Sequence, residues 1–140
     1  MLLKKEYQML SGKKLQETWS SNEDILNAGL PSESVEILGS LWSIEPAQVA
    51  KLIGLPLSDV NQLKVSNESL DSTATERALL MGNLYLSAVE YFRCSERAQR
   101  WMKTVNIPMG GKTPLEVCQT MEGIIIVKNK ILQLEYGIVT

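Results

Sequence analysis

Apolar residues recur at intervals of three and four along much of this 140-residue chain, which is the period of an α-helix. A second stripe near the C-terminal end repeats in the same way. This pattern predicts an all-α fold. The first stripe consists of Met81, Leu84, Ala88, Tyr91, Ser95, Ala98 and Met102, and the second of Ile124, Val127, Ile131 and Leu134.

Polar residues and prolines mark where these helices begin and end. Ser95 within the first stripe predicts a break and restart near residues 93–95, because serine favours caps over helix interiors. In the segment Thr113-Pro114-Leu115-Glu116, threonine is placed to cap, proline to take the first helical position, and glutamate to complete a capping box. Gly110 and Gly111 supply a tight loop before it.

Residues 32–72 carry the spacing of a helix-turn-helix. Ser32 predicts the start of a helix that runs to Trp42, and Pro46 begins the next helix, which ends at Gly54. Ser58 is then placed to cap a short helix whose Val60 and Leu63 point inward. The small residue Ala50 lets the second helix of the helix-turn-helix approach the first closely.

The outward positions of that last helix are the candidate DNA-binding residues. Asn61 and Gln62 could bond adenine edges, Lys64 could reach a phosphate or guanine, and Ser58 completes the polar face. The helix offers no arginine and carries Asp59, whereas specific DNA binders generally show a basic face. Two interpretations therefore stay open, direct DNA binding and a helical module that has weakened or lost it.

The distribution of charge says more than the net charge of −2. Residues 1–20 carry four lysines against two glutamates, residues 21–76 two lysines against nine acids, and residues 77–140 eight basic groups against five acids. An acidic middle segment opposes phosphate binding. The N-terminal lysines could compensate as an arm, although such clusters are usually solvated.

Composition excludes several kinds of active site. The chain has no histidine, and Cys94 and Cys118 are isolated, so a zinc site and a histidine-based triad are excluded. Gly111-Lys112-Thr113 lacks the glycine that a phosphate loop needs five positions earlier, where Asn106 stands. We predict that the protein is not an enzyme and needs no cofactor or metal. No signal peptide or membrane span is evident, which indicates a cytoplasmic protein with reduced cysteines and no membrane partner.

The C-terminal third carries a further pattern, which ends in an apolar tail although chain ends are normally polar and frayed. This third resembles the toxin-binding domain of the Xre/MbcA/ParS antitoxin family. The resemblance covers residues 77–140 well and the preceding part more loosely, and it rests on Ala98-Gln99-Arg100-Trp101-Met102, Asn106, Pro108, Gly110-Gly111-Lys112-Thr113-Pro114-Leu115, Gly123 and Leu132–Thr140. It implies a helix-turn-helix module followed by a small helical toxin-binding domain. The corresponding division is an N-terminal segment (1–31), which is a short helix or a partly ordered arm, an Xre-like module (32–72) and an antitoxin domain (73–140).

The resemblance also implies a function. Members of this family pair with RES-type toxins, which consume NAD. The antitoxin blocks the active-site cleft of the toxin, and many members also bind the promoter of their own operon. Carried over to this chain, the tail is the piece placed near the toxin's cleft, with Lys112 available at the interface. The implied toxin-binding residues are Lys112, Glu135, Tyr136, Gly137, Ile138, Val139 and Thr140.

A second hypothesis belongs to a different class of protein. Here the chain is a DNA-binding transcriptional regulator or plasmid-stability protein whose C-terminal domain serves dimerisation. In either hypothesis the apolar girth of the last helix predicts a homodimer, although the same surface could equally be the toxin interface. The acidic middle segment and the helix without arginine favour the antitoxin.

Overall fold

The computed structural model describes residues 3–12 and 21–137, and every regular element within these ranges is a helix, as the all-α prediction requires. The chain divides into two compact units, Met1–Asn83 and Leu84–Thr140, with residues of α6 in both. The boundaries expected from sequence, after residues 31 and 72, stay predictions. The helices are α1 (Lys4–Ser11), α2 (Asn22–Ala28), α3 (Ser34–Trp42), α4 (Pro46–Ile53), α5 (Leu57–Ser66), α6 (Ser72–Phe92), α7 (Ser95–Met102), α8 (Pro114–Val117) and α9 (Met121–Glu135), with a 3₁₀ turn at Ile107–Met109.

The described residues before position 32 form two helices that contribute to the core of the N-terminal unit. Leu10 and Ile25 are completely buried. The buried hydroxyl of Ser34 donates a hydrogen bond to the carbonyl of Leu10 at 2.6 Å, which joins α1 to α3. The amide of Leu3 donates to Oδ1 of Asn22 at 2.8 Å and joins the start of α1 to α2. The order of this segment therefore comes from tertiary contacts.

Helix α4 begins and ends where the sequence predicts. Pro46 takes the first position of α4, Gly54 ends it with φ 79°, and Val60 of α5 is completely buried. Two predicted caps are wrong. The extended backbone of Pro56 precedes α5, so Ser58 lies inside the helix, and α3 begins after Glu33, so Ser32 does not cap it.

In the C-terminal unit, the predicted interruption of the long helix is confirmed. Arg93 adopts a left-handed conformation with φ 68°, and α7 starts two residues later. The cap is Cys94, whose Sγ accepts from the amide of Arg97 at 3.4 Å, and not Ser95. Trp101 of α7 is half-buried and packs on Phe92, with ring centroids 5.7 Å apart.

The predicted capping box at the start of α8 is confirmed. The amide of Glu116 donates to Oγ1 of Thr113 at 3.1 Å, and the amide of Thr113 donates to Oε1 of Glu116 at 3.0 Å. The hydroxyl of Thr113 also donates to Oε1 of Glu116, at 3.0 Å. The pKa of the Glu116 carboxyl is lowered first by the bond from the Thr113 amide, then by the bond from the Thr113 hydroxyl, with a smaller effect from the charge of Lys112. Pro114 at the first helical position is buried.

The last helix is seated against α8 by a close backbone approach. Gly123 in the first turn of α9 lies against the carbonyl of Val117, so closely that any Cβ would overlap that group. Thr120 caps α9 by accepting from the amide of Gly123 at 3.0 Å. One face of α9 is buried, through Ile124, Val127 and Ile131.

Candidate protein-binding surface

The other face of α9 exposes large apolar side chains. Ile125 and Ile126 are each about half exposed, at 51% and 49%. Asn129 follows at a spacing of three and Gln133 at seven from Ile126, so these residues share one side of the helix. Tyr136, three residues after Gln133, is 77% exposed. Adjacent exposed isoleucines are costly in water, and such patches mark interaction sites.

A short loop presents a second apolar element. Ile107, in the 3₁₀ turn, is 84% exposed, one of the most exposed large apolar side chains in the described part of the chain. Pro108 and Met109 complete the turn. The turn is carried by residues 106–112, which we call the glycine loop because Gly110 and Gly111 close it in left-handed conformations, with φ 79° and 74°.

Backbone hydrogen bonds fix the glycine loop at its base. The amide of Asn106 donates to the carbonyl of Lys112 at 2.9 Å, and the Asn106 carbonyl accepts from the amides of Met109 at 3.0 Å and Gly111 at 3.2 Å. The capping box of α8 begins directly after Lys112. The turn is therefore held in one geometry from within the chain.

The glycine loop and α9 together form a groove of about 400 Å³. Apolar Pro108 and Met109 line one side, and Ile126 lines the other beside polar groups of α9. An apolar groove with polar groups along one wall is suited to receive an apolar segment of another protein and to fix its orientation. We call this site the α9 groove; it is lined by Pro108, Met109, Ile126, Asn129, Lys130 and Gln133.

The described residues that the resemblance places at the toxin interface do not line the groove. Lys112 is exposed at the end of the glycine loop. Glu135 is the last residue of α9, and Tyr136 and Gly137 follow it, all exposed. Ile138, Val139 and Thr140 lie outside the described residues. Their assignment to the interface stays a prediction.

Sequence reasoning missed the groove itself. The run Ile124–Val127 is apolar on all sides, so its pattern does not separate the buried isoleucine from the exposed ones. The available signal was position: Ile125 and Ile126 fall off the stripe that Ile124, Val127 and Ile131 define.

The candidate DNA-binding residues lie on α5 in the N-terminal unit. Ser58, Asn61 and Gln62 are exposed, as the sequence predicts. Lys64 forms an ion pair with Glu36 of α3, so its charge is already opposed within the protein.

The surroundings of α5 are acidic. A groove of about 380 Å³ beside this helix is lined by Asp59, Gln62, Glu68 and Asp71, among others. Three carboxylates at one groove repel phosphate. This face therefore lacks the positive potential that promotes nucleic-acid binding.

The described residues hold no group of three or more histidine, cysteine, aspartate or glutamate side chains placed to bind a metal ion. Cys118 is buried, and burial raises the pKa of its thiol to about 12. A thiol in that state is a packing group and a poor nucleophile. Within the described ranges, no helix combines the length and apolar character needed to cross a membrane.

Comparison with known proteins bears on the unit that carries the α9 groove. Residues 87–137 match the family of the antitoxin Xre/MbcA/ParS C-terminal toxin-binding domain. The matched range begins in the second half of α6 and includes α7, the glycine loop, α8, α9 and Tyr136. A comparison with curated proteins found no match. The family match supports an antitoxin role in a toxin–antitoxin system and implies a toxin as partner.

Proposed function

We propose that this protein is an antitoxin that binds a RES-type, NAD-consuming toxin and neutralises it by occluding its active site. The observation that carries the proposal is that the α9 groove lies within residues 87–137, the range that matches a toxin-binding domain. We expect the protein to act in the cytoplasm, without catalytic activity or cofactor of its own.

The groove supplies the apolar anchor that such a complex needs. Hot spots of protein interfaces are apolar or aromatic groups that become fully desolvated, and polar groups surround them. Ile126 and Met109 would be the centre, with Asn129 and Gln133 at the rim. Half of the Ile126 side chain is still exposed, so its burial would contribute about 1 kcal/mol to binding.

The end of α9 would supply the occluding segment. Glu135, Tyr136 and Gly137 are exposed, and the chain continues for three more residues to Thr140. Tyr136 offers an aromatic surface and one hydroxyl group, which suits a partly polar cleft. In this arrangement the groove provides affinity and the tail provides inhibition.

Autoregulation through α5 is a weaker second activity in this proposal. Asn61 and Gln62 are available to base edges, but Lys64 is paired with Glu36 and the neighbouring groove is acidic. The alternative function is a DNA-binding regulator whose C-terminal unit dimerises. The exposed isoleucines of α9 are consistent with this regulator, because a second copy of the chain could also cover them.

The test measures binding and inhibition separately. The cognate RES-type toxin is titrated with the full chain, with a version that lacks Glu135–Thr140, and with Ile126→Asp, while NAD consumption and complex formation are followed. Val65→Asp is the matched control, because Val65 is an exposed apolar residue in the N-terminal unit, at 89%.

We expect the truncated chain to bind without inhibiting, and Ile126→Asp to bind at least about tenfold more weakly, which corresponds to about 1.4 kcal/mol. The Val65→Asp control should behave like the original chain. Unchanged inhibition by the truncated chain would refute occlusion by the tail. If the full chain neither binds nor inhibits the toxin, the antitoxin proposal is wrong and the regulator remains.

A further inference from the structure

Several positively charged side chains lie on α7 and on the two residues before it, outside the proposed toxin interface. Arg93, Arg97 and Arg100 are all exposed. In the described part of the chain, their guanidinium groups form no salt bridge and no hydrogen bond. Unpaired arginines in such a group are available to an anionic partner. We call this set the α7 arginine face.

The backbone places these charges close together. Arg97 and Arg100 are three residues apart on one helix, a spacing that brings side chains to within about 5–6 Å at Cβ. Arg93 precedes the cap of the same helix in its left-handed conformation, and Lys103 follows the last turn. Two exposed acids, Glu90 and Glu96, oppose the three arginines and Lys103, so the group keeps a net positive charge.

The surroundings favour phosphates over an acidic protein as the occupant. Protein interfaces also use arginine, but they combine it with a desolvated apolar or aromatic centre. No large apolar side chain between residues 93 and 103 is exposed. The exposed apolar groups of this unit lie on α9, the glycine loop and Val105. A face made of arginines without an apolar anchor resembles the phosphate-contacting part of a nucleic-acid interface.

The same surroundings favour a double helix over a single strand. Proteins bind single strands by stacking unpaired bases on accessible aromatic rings. The aromatic residues next to these arginines in the sequence, Phe92 and Trp101, are half-buried and pack on each other. Contacts from this face would therefore be to the backbone of a duplex and would not read its sequence.

We propose that the α7 arginine face binds the phosphodiester backbone of duplex DNA, and that this face, and not α5, supplies most of the protein's electrostatic affinity for DNA. The contrast with α5 is direct, because α5 has no arginine and its Lys64 is paired with Glu36. The proposal does not depend on toxin neutralisation, since DNA binding is measured without a toxin.

The test is the salt dependence of DNA binding. The full chain is titrated against a fluorescent duplex of random sequence, and anisotropy gives the binding constant between about 50 and 200 mM salt. Three phosphate contacts predict a slope of about −2.7 in a plot of log K against log salt concentration, at about 0.9 per contact. The variant with Arg93, Arg97 and Arg100 changed to Gln should lose most of this slope and bind at least about tenfold more weakly at the lowest salt.

Two control variants keep the result specific. Changing the same three arginines to Lys preserves charge, and this variant should retain most of the slope. Changing Lys51 and Lys64 to Gln removes the two lysines of α4 and α5 and should leave the slope nearly unchanged. Circular dichroism establishes that each variant is folded.

Three results would overturn the proposal. The first is no salt-dependent binding by the original chain. The second is an unchanged slope in the variant with the three arginines changed to Gln, or loss of binding only in the variant with Lys51 and Lys64 changed to Gln. The third is that the variant with the three arginines changed to Gln binds DNA normally but no longer binds the toxin, since the face would then serve an acidic protein surface.

Discussion

The contact between Gly123 and the carbonyl of Val117 makes Gly123→Ala a sharp test of how α9 is seated. Alanine in a helix interior is favoured over glycine by about 1 kcal/mol, so propensity alone predicts a more stable protein. Here the added Cβ would overlap a backbone carbonyl and would approach Oγ1 of Thr120 to 3.1 Å. Which of these two effects is larger decides the sign.

We expect the overlap to prevail. A side chain can rotate away from an added methyl group, but the Val117 carbonyl belongs to α8, whose position is fixed by the Thr113 capping box and by the bond from the Val117 amide to the Thr113 carbonyl at 3.1 Å. Forcing a methyl group into such a site costs about 1–3 kcal/mol, and more when backbone must move. Because the overlap here is with backbone, we take the upper end of that cost, and after the gain in propensity Gly123→Ala should lower the free energy of unfolding by about 2 kcal/mol or more.

The matched control is Gly82→Ala on α6. Its added Cβ would meet only the side-chain ends of Leu10 and Met9, both at 3.2 Å, and these can move by a few tenths of an ångström. Urea denaturation followed by circular dichroism compares the two variants with the original chain. Gly82→Ala should be clearly less destabilising than Gly123→Ala. If Gly123→Ala is as stable as the original chain, or more stable, this account of the α8–α9 contact is refuted.

Two further predictions concern titrating groups. At pH 8 in the native protein, Cys118 should resist alkylation by iodoacetamide while the half-exposed Cys94 reacts, because burial raises the pKa of the Cys118 thiol to about 12. Mass spectrometry after labelling under native and denaturing conditions measures both rates. Equal rates of alkylation in the native protein would contradict this prediction. Glu116→Gln should remove a pH-dependent part of the stability. Because folding lowers the pKa of Glu116, its contribution is present above the unfolded pKa of about 4.3 and is lost as the pH falls through the lower folded value. Thermal melts from pH 3 to 7 should therefore show the variant losing less stability on acidification than the original chain, and parallel curves would refute the assignment.

Local signals predicted the C-terminal unit well where one residue had one physical role. The capping box of Thr113 and Glu116 is visible in sequence because a cap, a first-position proline and a reaching carboxylate fall within four residues. The interruption before α7 was also predictable, although the capping atom is the Cys94 sulfur. These are contacts between near neighbours, so sequence spacing determines them.

Other predictions failed for local reasons or because packing between helices decided the outcome. The sequence predicts Ser32 as a helix cap. In the structure the residue is only 1% exposed, and its buried hydroxyl makes no hydrogen bond within the described residues. Ser58 reads as a cap because its side chain suits the role, yet the fixed φ of Pro56 starts α5 earlier. The exposure of Ile125 and Ile126 depends on which neighbours pack around α9, which periodicity alone does not encode.

The fixed base of the glycine loop has a thermodynamic consequence for recognition. Ordering one backbone residue costs about 1–2 kcal/mol of conformational entropy, and a loop that became ordered only on binding would bear that cost residue by residue. In this protein the hydrogen bonds of Asn106 with Lys112, Met109 and Gly111 already order the loop in the folded chain, so this entropic cost does not arise on binding. Ile107 and Pro108 are thus preorganised, and a partner that docks on them does not bear the entropic cost of ordering this stretch of backbone.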